Sequence, residues 1–421
     1  LFLIILSIIF IKQASAKDEI KIGISTFLSG GAASSFGIPL KQGLEFMFNA
    51  INEGKVPEPY NNPGIGGKKV SYFFIDEAGG ATKQVSEFRN MVQRQNVDIV
   101  MGYISSGDCL AIPAVADELK QLTILIDCGT PRVFEEASYK YVFRTGPHAA
   151  MDNIAGALYL KRKGIVPKKI AAINQNYAWG QDSWADFKGS IDVFFPGTKI
   201  VSEQFPKFLS GQYGSEISAI MVSKPDLIHS SMWGGDLESF IIQASTRGLF
   251  RNSKVFLSAG DHVLPSLGRN MPEGVIVGAR GPHGDLAPDT ILAKWFKEKL
   301  KEDLGIKMTT QPMHKGAMAA LFIKKAYDQA YKENSSFPST EEVIKIMKGL
   351  KWETPSGMAE MALGNGHQAI QDMAIGVTKW DKNEKRTKLV DIEFFKAECV
   401  NPPEGIRALE WIKGGFEGVS C

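Results

Sequence analysis

VDIVMGYISSGDCLAIPAVADELKQLTILIDCGTP, residues 97–131, carries the reading that decides the fold. Val97–Gly102 is an apolar run broken only by Asp98, too short for a helix and without polar alternation, as expected of a strand buried on both faces. Residues Asp108 to Leu119 then repeat apolar positions at helical spacing, and Leu122–Asp127 is a second apolar run. Strand, helix and strand in this order make a right-handed βαβ unit with parallel strands.

The same alternation extends outward. Upstream, strands are expected at Ile20–Ser25 and Lys69–Ile75, with helices at Ile38–Asn52 and about Ala81 to Gln95. After Arg144-Thr145-Gly146-Pro147 a second set begins. It places helices at about Met151–Lys163, from Trp179 onward, at Gly214–Val222 and at Leu237–Arg247. Its strands are Lys169–Asn174, Lys199–Gln204, Asp226–Met232 and Lys254–Ser258. Val275–Gly278 reads as a return to the first lobe, followed by helices at Thr290–Glu302 and Met313–Lys332. A third crossing is expected near Glu353–Gly366, before strands at Met373–Trp380 and Lys388–Lys396. The expected fold is α/β: two doubly wound parallel-sheet lobes joined by a multi-strand hinge. Lobe 1 takes 17–145 plus 275–355, and lobe 2 takes 146–274 plus 356–421.

With 421 residues, 44% hydrophobic and 22% charged, the chain has ample material for two cores. A net charge of +2 with no basic stripe argues against a nucleic-acid partner. Residues 1–16, LFLIILSIIFIKQASA, combine an apolar run to Ile11 with Ala14-Ser15-Ala16 before Lys17-Asp18-Glu19. This is the pattern of a secretory signal peptide, and the run is shorter than the roughly 20 residues that span a bilayer. No cysteine at the cleavage site offers a lipid anchor. Export permits disulfides. Cys399 and Cys421 are the natural pair, pinning the tail, whereas Cys109 and Cys128 either pair with each other or are buried thiols.

In facing parallel sheets, ligands bind beyond the carboxyl ends of the strands. The loop after Val97–Gly102 offers Ser105, Ser106 and Gly107 at a helix start, where unpaired amides welcome an anion. Ordinary capping by Ser106 or Asp108 explains the same residues. The next strand ends in Cys128, Gly129 and Thr130. The second lobe presents Tyr177 and Trp179, then Trp233 and Gly234, at its strand-to-helix loops. Such aromatics wall off an apolar group or cover a cation, or simply pack the lobe. Asp261, after the strand Lys254–Ser258, either neutralises an ammonium or is a solvent-exposed or capping carboxylate.

These loops, in their order, resemble the branched-chain amino-acid-binding family of periplasmic solute-binding proteins. The resemblance rests on Ile20-Lys21-Ile22-Gly23, Ser34-Ser35-Phe36-Gly37, Gly102 to Ser106, Cys128-Gly129-Thr130-Pro131, Trp179-Gly180 and Gly234-Gly235. It continues in Thr354-Pro355-Ser356-Gly357 with Gly366-His367-Gln368-Ala369. It implies a periplasmic, monomeric binding component of an ABC importer, with a small-molecule ligand and membrane permease subunits as partners. It implies a ligand carboxylate on Ser105, Ser106, Gly107, Cys128, Gly129 and Thr130, and Phe36 lining the side-chain pocket. The family's ammonium-binding acid falls on Gly260, or on Asp261 after a one-residue shift. That departure, with Cys128 and the two tryptophans, points toward an aromatic or amide-like solute. His367 and Gln368 are expected at the hinge rather than over the cleft mouth.

Two other readings use the same residues: a ligand sensor for a signalling system, and a secreted α/β hydrolase with Ser105 or Cys128 as nucleophile. The sequence contains no H-E-x-x-H, G-x-S-x-G or P-loop motif, so no metal, cofactor or enzyme is expected.

Overall fold

The computed structural model describes residues 18–419 and residue 421; the expected signal segment lies outside them. The chain begins with β1 (Glu19–Thr26), β2 (Lys69–Asp76), β3 (Ile99–Gly102), β4 (Thr123–Leu125) and β5 (Val142–Arg144). It continues with β6 (Lys169–Ile173), β7 (Lys199–Gln204), β8 (Leu227–Ser230), β9 (Lys254–Leu257) and β10 (Ile276–Gly278). It ends with β11 (Lys351–Thr354), β12 (Gly357–Leu363), β13 (Gln368–Gln371), β14 (Met373–Asp381) and β15 (Arg386–Phe395). Two sheets result, ordered β11-β12-β13-β5-β4-β3-β1-β2 and β15-β14-β10-β9-β8-β6-β7. Each is parallel at its centre, with antiparallel strands at one edge.

The run that decided the reading behaves as its composition demands. Ile99 and Met101 face one core with Leu44, Met47, Ala319 and Phe322. Val100 faces the opposite core with Phe88, Met91, Ile112 and Leu125. Alternate residues of a strand point to opposite faces, and helices cover both, so every position must be apolar. The second sheet repeats this, with Ile170 and Ala172 on one face and Ala171 and Ile173 on the other.

The lobe boundaries shift from those expected. β10 pairs with β9 and β14, so Val275–Gly278 completes the second sheet and the return to the first lobe follows it. The Glu353–Gly366 segment is not a crossing: β11, β12 and β13 are the antiparallel edge of the first sheet, and the chain crosses between Gln371 and Met373. A short buried strand has the same composition whichever sheet it joins, so its apolar run carries no lobe label. Among the described residues no helix is long and apolar enough to cross a membrane.

Both expected cysteine pairs are disulfides, Cys109–Cys128 and Cys399–Cys421. His367 Nδ1 donates to the carbonyl of Val142, and Gln368 bonds Arg144 and the carbonyl of Gly146, so both residues are hinge contacts.

Candidate functional site

The first lobe builds a polar corner. After β3 the chain turns at Gly102, where φ is +124° and a Cβ would stand 2.0 Å from the carbonyl oxygen of Ser25. Only glycine suits that turn. The helix then starts at Ser106 rather than Asp108. Glu77, buried beneath it, accepts the amides of Ile104 (2.8 Å) and Ser105 (2.7 Å). Burial, with Asp108 beside it, raises the Glu77 carboxyl well above its ordinary value. The protein's own acid therefore takes the Ser105 amide that a ligand carboxylate was expected to use. Ser106 Oγ accepts from the amides of Gly129 (3.2 Å) and Thr130 (3.1 Å). A hydroxyl with two accepted bonds still has its own proton to donate. The Cys109–Cys128 bridge ties this helix to the loop after β4. Arg144 Nη1 holds the same loop through the carbonyls of Cys128 and Thr130.

The second lobe supplies an aromatic wall with fixed edges. Trp179 Nε1 donates to the carbonyl of Ser231 and Trp233 Nε1 to Tyr177 Oη, each at 2.7 Å. Phe208 stacks on Tyr177 at 4.8 Å, and Phe36 from the first lobe meets Trp233 edge-on at 5.0 Å. The indoles are buried and the phenol half-buried, and each is bonded, so the wall is rigid.

Between the two lies Arg280, which follows β10. Its Nη1 donates to Asp127 Oδ1 at 2.7 Å, its Nε to Asp152 at 3.1 Å and its Nη2 to the carbonyl of Pro147 at 2.5 Å. Lys315 also pairs with Asp127. All four charged groups are buried, two of each sign. Burial lowers Lys315 to about 8 and raises Asp152 to about 6. The Arg280 guanidinium lies over the Trp179 ring at 4.5 Å. Its backbone is left-handed, with φ at +51°. This costly geometry for a long side chain is held by two contacts to its carbonyl: His283 Nε2 (3.1 Å) and Gln371 Nε2.

The lobes enclose a small cavity lined by Phe36, Ile104, Ser106, Asp127 and Gly129 on one side and Tyr177, Trp179, Trp233, Ala259 and Arg280 on the other. Its volume is about 10 Å³, room for one water, so the lobes are shut on each other. Of the residues singled out from the sequence, Phe36, Ser106, Gly129, Tyr177, Trp179 and Trp233 are brought together around this cavity. Other expected residues turn elsewhere. Ser105 and Gly107 belong to the helix start, and Cys128 is bridged, which removes it as a thiol nucleophile. Thr130 Oγ1 donates across the lobes to Asp182 (2.6 Å). The Gly234 amide donates to His262 Nε2 (2.9 Å). Asp261 does not face the cavity: its Oδ2 accepts the Gln311 amide at 2.7 Å, capping the helix Gln311–Asn334 of the first lobe. Ile104, Asp127, Ala259 and Arg280 were not anticipated. Asp127 ends an expected strand, so the strand-end rule that found Gly129 also reached it. Nothing local marks Arg280.

Comparison with known proteins agrees with this architecture. The model of the periplasmic binding protein family matches residues 19–385. A solute-binding protein of an ABC transporter from Rhodopseudomonas palustris BisB5, solved with 3,4-dihydroxybenzoic acid, superposes with a TM-score of 0.77 at 21% identity. It covers 90% of this chain and 98% of that one. The leucine-, isoleucine-, valine-, threonine- and alanine-binding protein of Brucella ovis, in its closed conformation, gives 0.73 at 20% identity over 92% and 97%. In sequence, Leu/Ile/Val-binding protein homolog 4 of Brucella abortus (strain 2308) is 24% identical over 245 residues, and the match spans 56% of this chain and 56% of that protein. The chain belongs to the periplasmic binding protein family.

Proposed function

We propose that this periplasmic binding protein captures a small aromatic carboxylate between its lobes and presents it, from outside the cytoplasm, to the permease of an ABC importer. The carrying observation is the cavity's pairing of an aromatic wall with a donor corner. Trp179, Trp233, Tyr177 and Phe36 offer ring faces and edges. The Ser106 hydroxyl and the Arg280 guanidinium offer hydrogen-bond donors to a carboxylate. An α-ammonium group finds less. Among the described lining residues the one carboxylate, Asp127, is already engaged by Arg280, Lys315 and Gln311. Asp261 is turned to the Gln311 amide. Solved proteins of the same architecture include one in complex with 3,4-dihydroxybenzoic acid and the leucine-, isoleucine-, valine-, threonine- and alanine-binding protein of Brucella ovis. The chemistry of this cavity sides with the former.

Ligand entry requires the shut lobes to part, and ligand contacts made only in the closed state supply the closing free energy. Titration calorimetry with benzoate, 4-hydroxybenzoate, 3,4-dihydroxybenzoate and leucine tests this. The expected result is 1:1 binding of at least one aromatic acid, recovered chemically unchanged, with leucine at least tenfold weaker, or about 1.4 kcal/mol. Tighter binding of leucine than of every aromatic acid would reject the ligand class. Conversion of the bound acid would reject the binding-protein reading.

A further inference from the structure

A second cavity lies on the hinge side of the molecule, behind the loop that carries Gly129. Its volume is about 250 Å³, far larger than the shut cleft. Phe134, Arg144 and Leu363 line it from the first lobe, and Arg407 lines it from the tail packed on the second. His148, on the crossing between the lobes, lines it too.

Arg144 is fully buried, and among the described residues its bonds include no ion pair. Its bonds go to neutral acceptors: Gln368 and the carbonyls of Cys128 and Thr130. Its Nη2 has no partner, and neither has Nδ1 of the buried His148. A buried guanidinium without a counter-charge is costly, and one whose Nη2 keeps its hydrogens unspent selects an anion that accepts a charge-assisted bond there. The acids nearby are already engaged. Glu135 Oε1 accepts the Ala408 amide at 2.8 Å, and Glu404 Oε1 accepts the Asn365 amide at 2.7 Å.

We infer that this hinge cavity binds a small monovalent carboxylate on the free Nη2 of Arg144, beside His148. The two glutamates on its rim disfavour a doubly charged phosphate, and Phe134 and Leu363 accept a short apolar group. Both lobes contribute walls, so an occupant distinguishes the closed state from the open one and adds to closure. Arg144 also holds the Cys128–Thr130 loop, so the occupant touches the residue that fixes one side of the ligand cleft.

The test uses the whole mature protein and saturation-transfer NMR with acetate as probe. Transfer to the acetate methyl is expected in the wild type, in the cleft variant Trp179→Ala and in the presence of equimolar inorganic phosphate. Arg144→Gln, which loses a charge-assisted contact, should weaken acetate binding about tenfold. Ile406→Trp fills the cavity mouth from a residue 45% exposed, so its folding is not at stake, and it should abolish transfer. Absence of transfer in the wild type, transfer that survives Ile406→Trp, transfer lost in Trp179→Ala, or displacement by phosphate would each overturn the assignment.

Discussion

Replacing Gly129 by alanine separates closure from folding. Gly129 lies opposite Trp179 across the cleft, and a Cβ built on it would stand 2.2 Å from two ring carbons of Trp179 and 2.8 Å from Arg280 Nη2. Ordinary contact begins at 3.4 Å, so the ring or the lobe must retreat by 3.4 − 2.2 = 1.2 Å. Trp179 has little freedom to do so, because its Nε1 is bonded to Ser231 and the Arg280 guanidinium lies 4.5 Å from its ring centre. The Gly129 backbone is not left-handed, so alanine strains nothing within the first lobe. The clash with Trp179, the closest of these contacts, therefore exists only when the lobes are shut. Overpacking of this kind costs about 1–3 kcal/mol, equivalent to about 5- to 150-fold in ligand affinity. Calorimetry on Gly129→Ala should show that loss, small-angle scattering should show a wider envelope at saturating ligand, and ligand-free thermal stability should change little. Gly107→Ala is the control: its Cβ meets only the Ser105 hydroxyl at 3.5 Å, within a helix, so affinity should be unchanged. Unaltered affinity and envelope in Gly129→Ala would refute the argument that Trp179 seals against this glycine.

Two further outcomes follow from the buried charges. Burial raises the Asp261 carboxyl to about 8 from an ordinary value of 3.8. The folded state then holds a proton that the unfolded state releases, so the contribution to stability is full below about pH 4 and is lost as pH rises toward 8. Melting temperatures between pH 5 and 8 should fall less steeply in Asp261→Asn than in the wild type; parallel profiles would show that this carboxyl is not protonated when folded. Arg280→Ala leaves Asp127 and Asp152 with Lys315 alone, and the unbalanced buried acid should cost about 3–5 kcal/mol in urea unfolding. Lysine at 280 should not restore it, because one ammonium cannot reach three acceptors held by a planar fork.

Much of this molecule was legible without coordinates. The apolar runs at Val97–Gly102 and Leu122–Asp127 demanded strands buried on two faces, and the loops after them yielded Ser106 and Gly129. Trp179 and Trp233 were found because each stands at a strand-to-helix junction of the second lobe. The same rule overreached at Thr130, Gly234 and Asp261, which share those junctions but spend their polar atoms on Asp182, His262 and Gln311. Junction chemistry says that a group is near the cleft, not which neighbour claims it first.

Sequence by itself determined what is encoded over one or two turns of chain: the central strands and helices of each lobe and their order, but not the short strand Val142–Arg144 or the edge strands β11 to β13. Tertiary structure alone decided what depends on partners far away. Val275–Gly278 joined the second sheet because β9 and β14 offered it edges. Asp261 became the cap of a first-lobe helix 50 positions on. Arg280 entered the cleft because Asp127, 153 positions earlier, and Pro147, 133 earlier, hold its guanidinium. Periodicity is a property of neighbours in the chain, whereas pairing a buried charge is a property of neighbours in space.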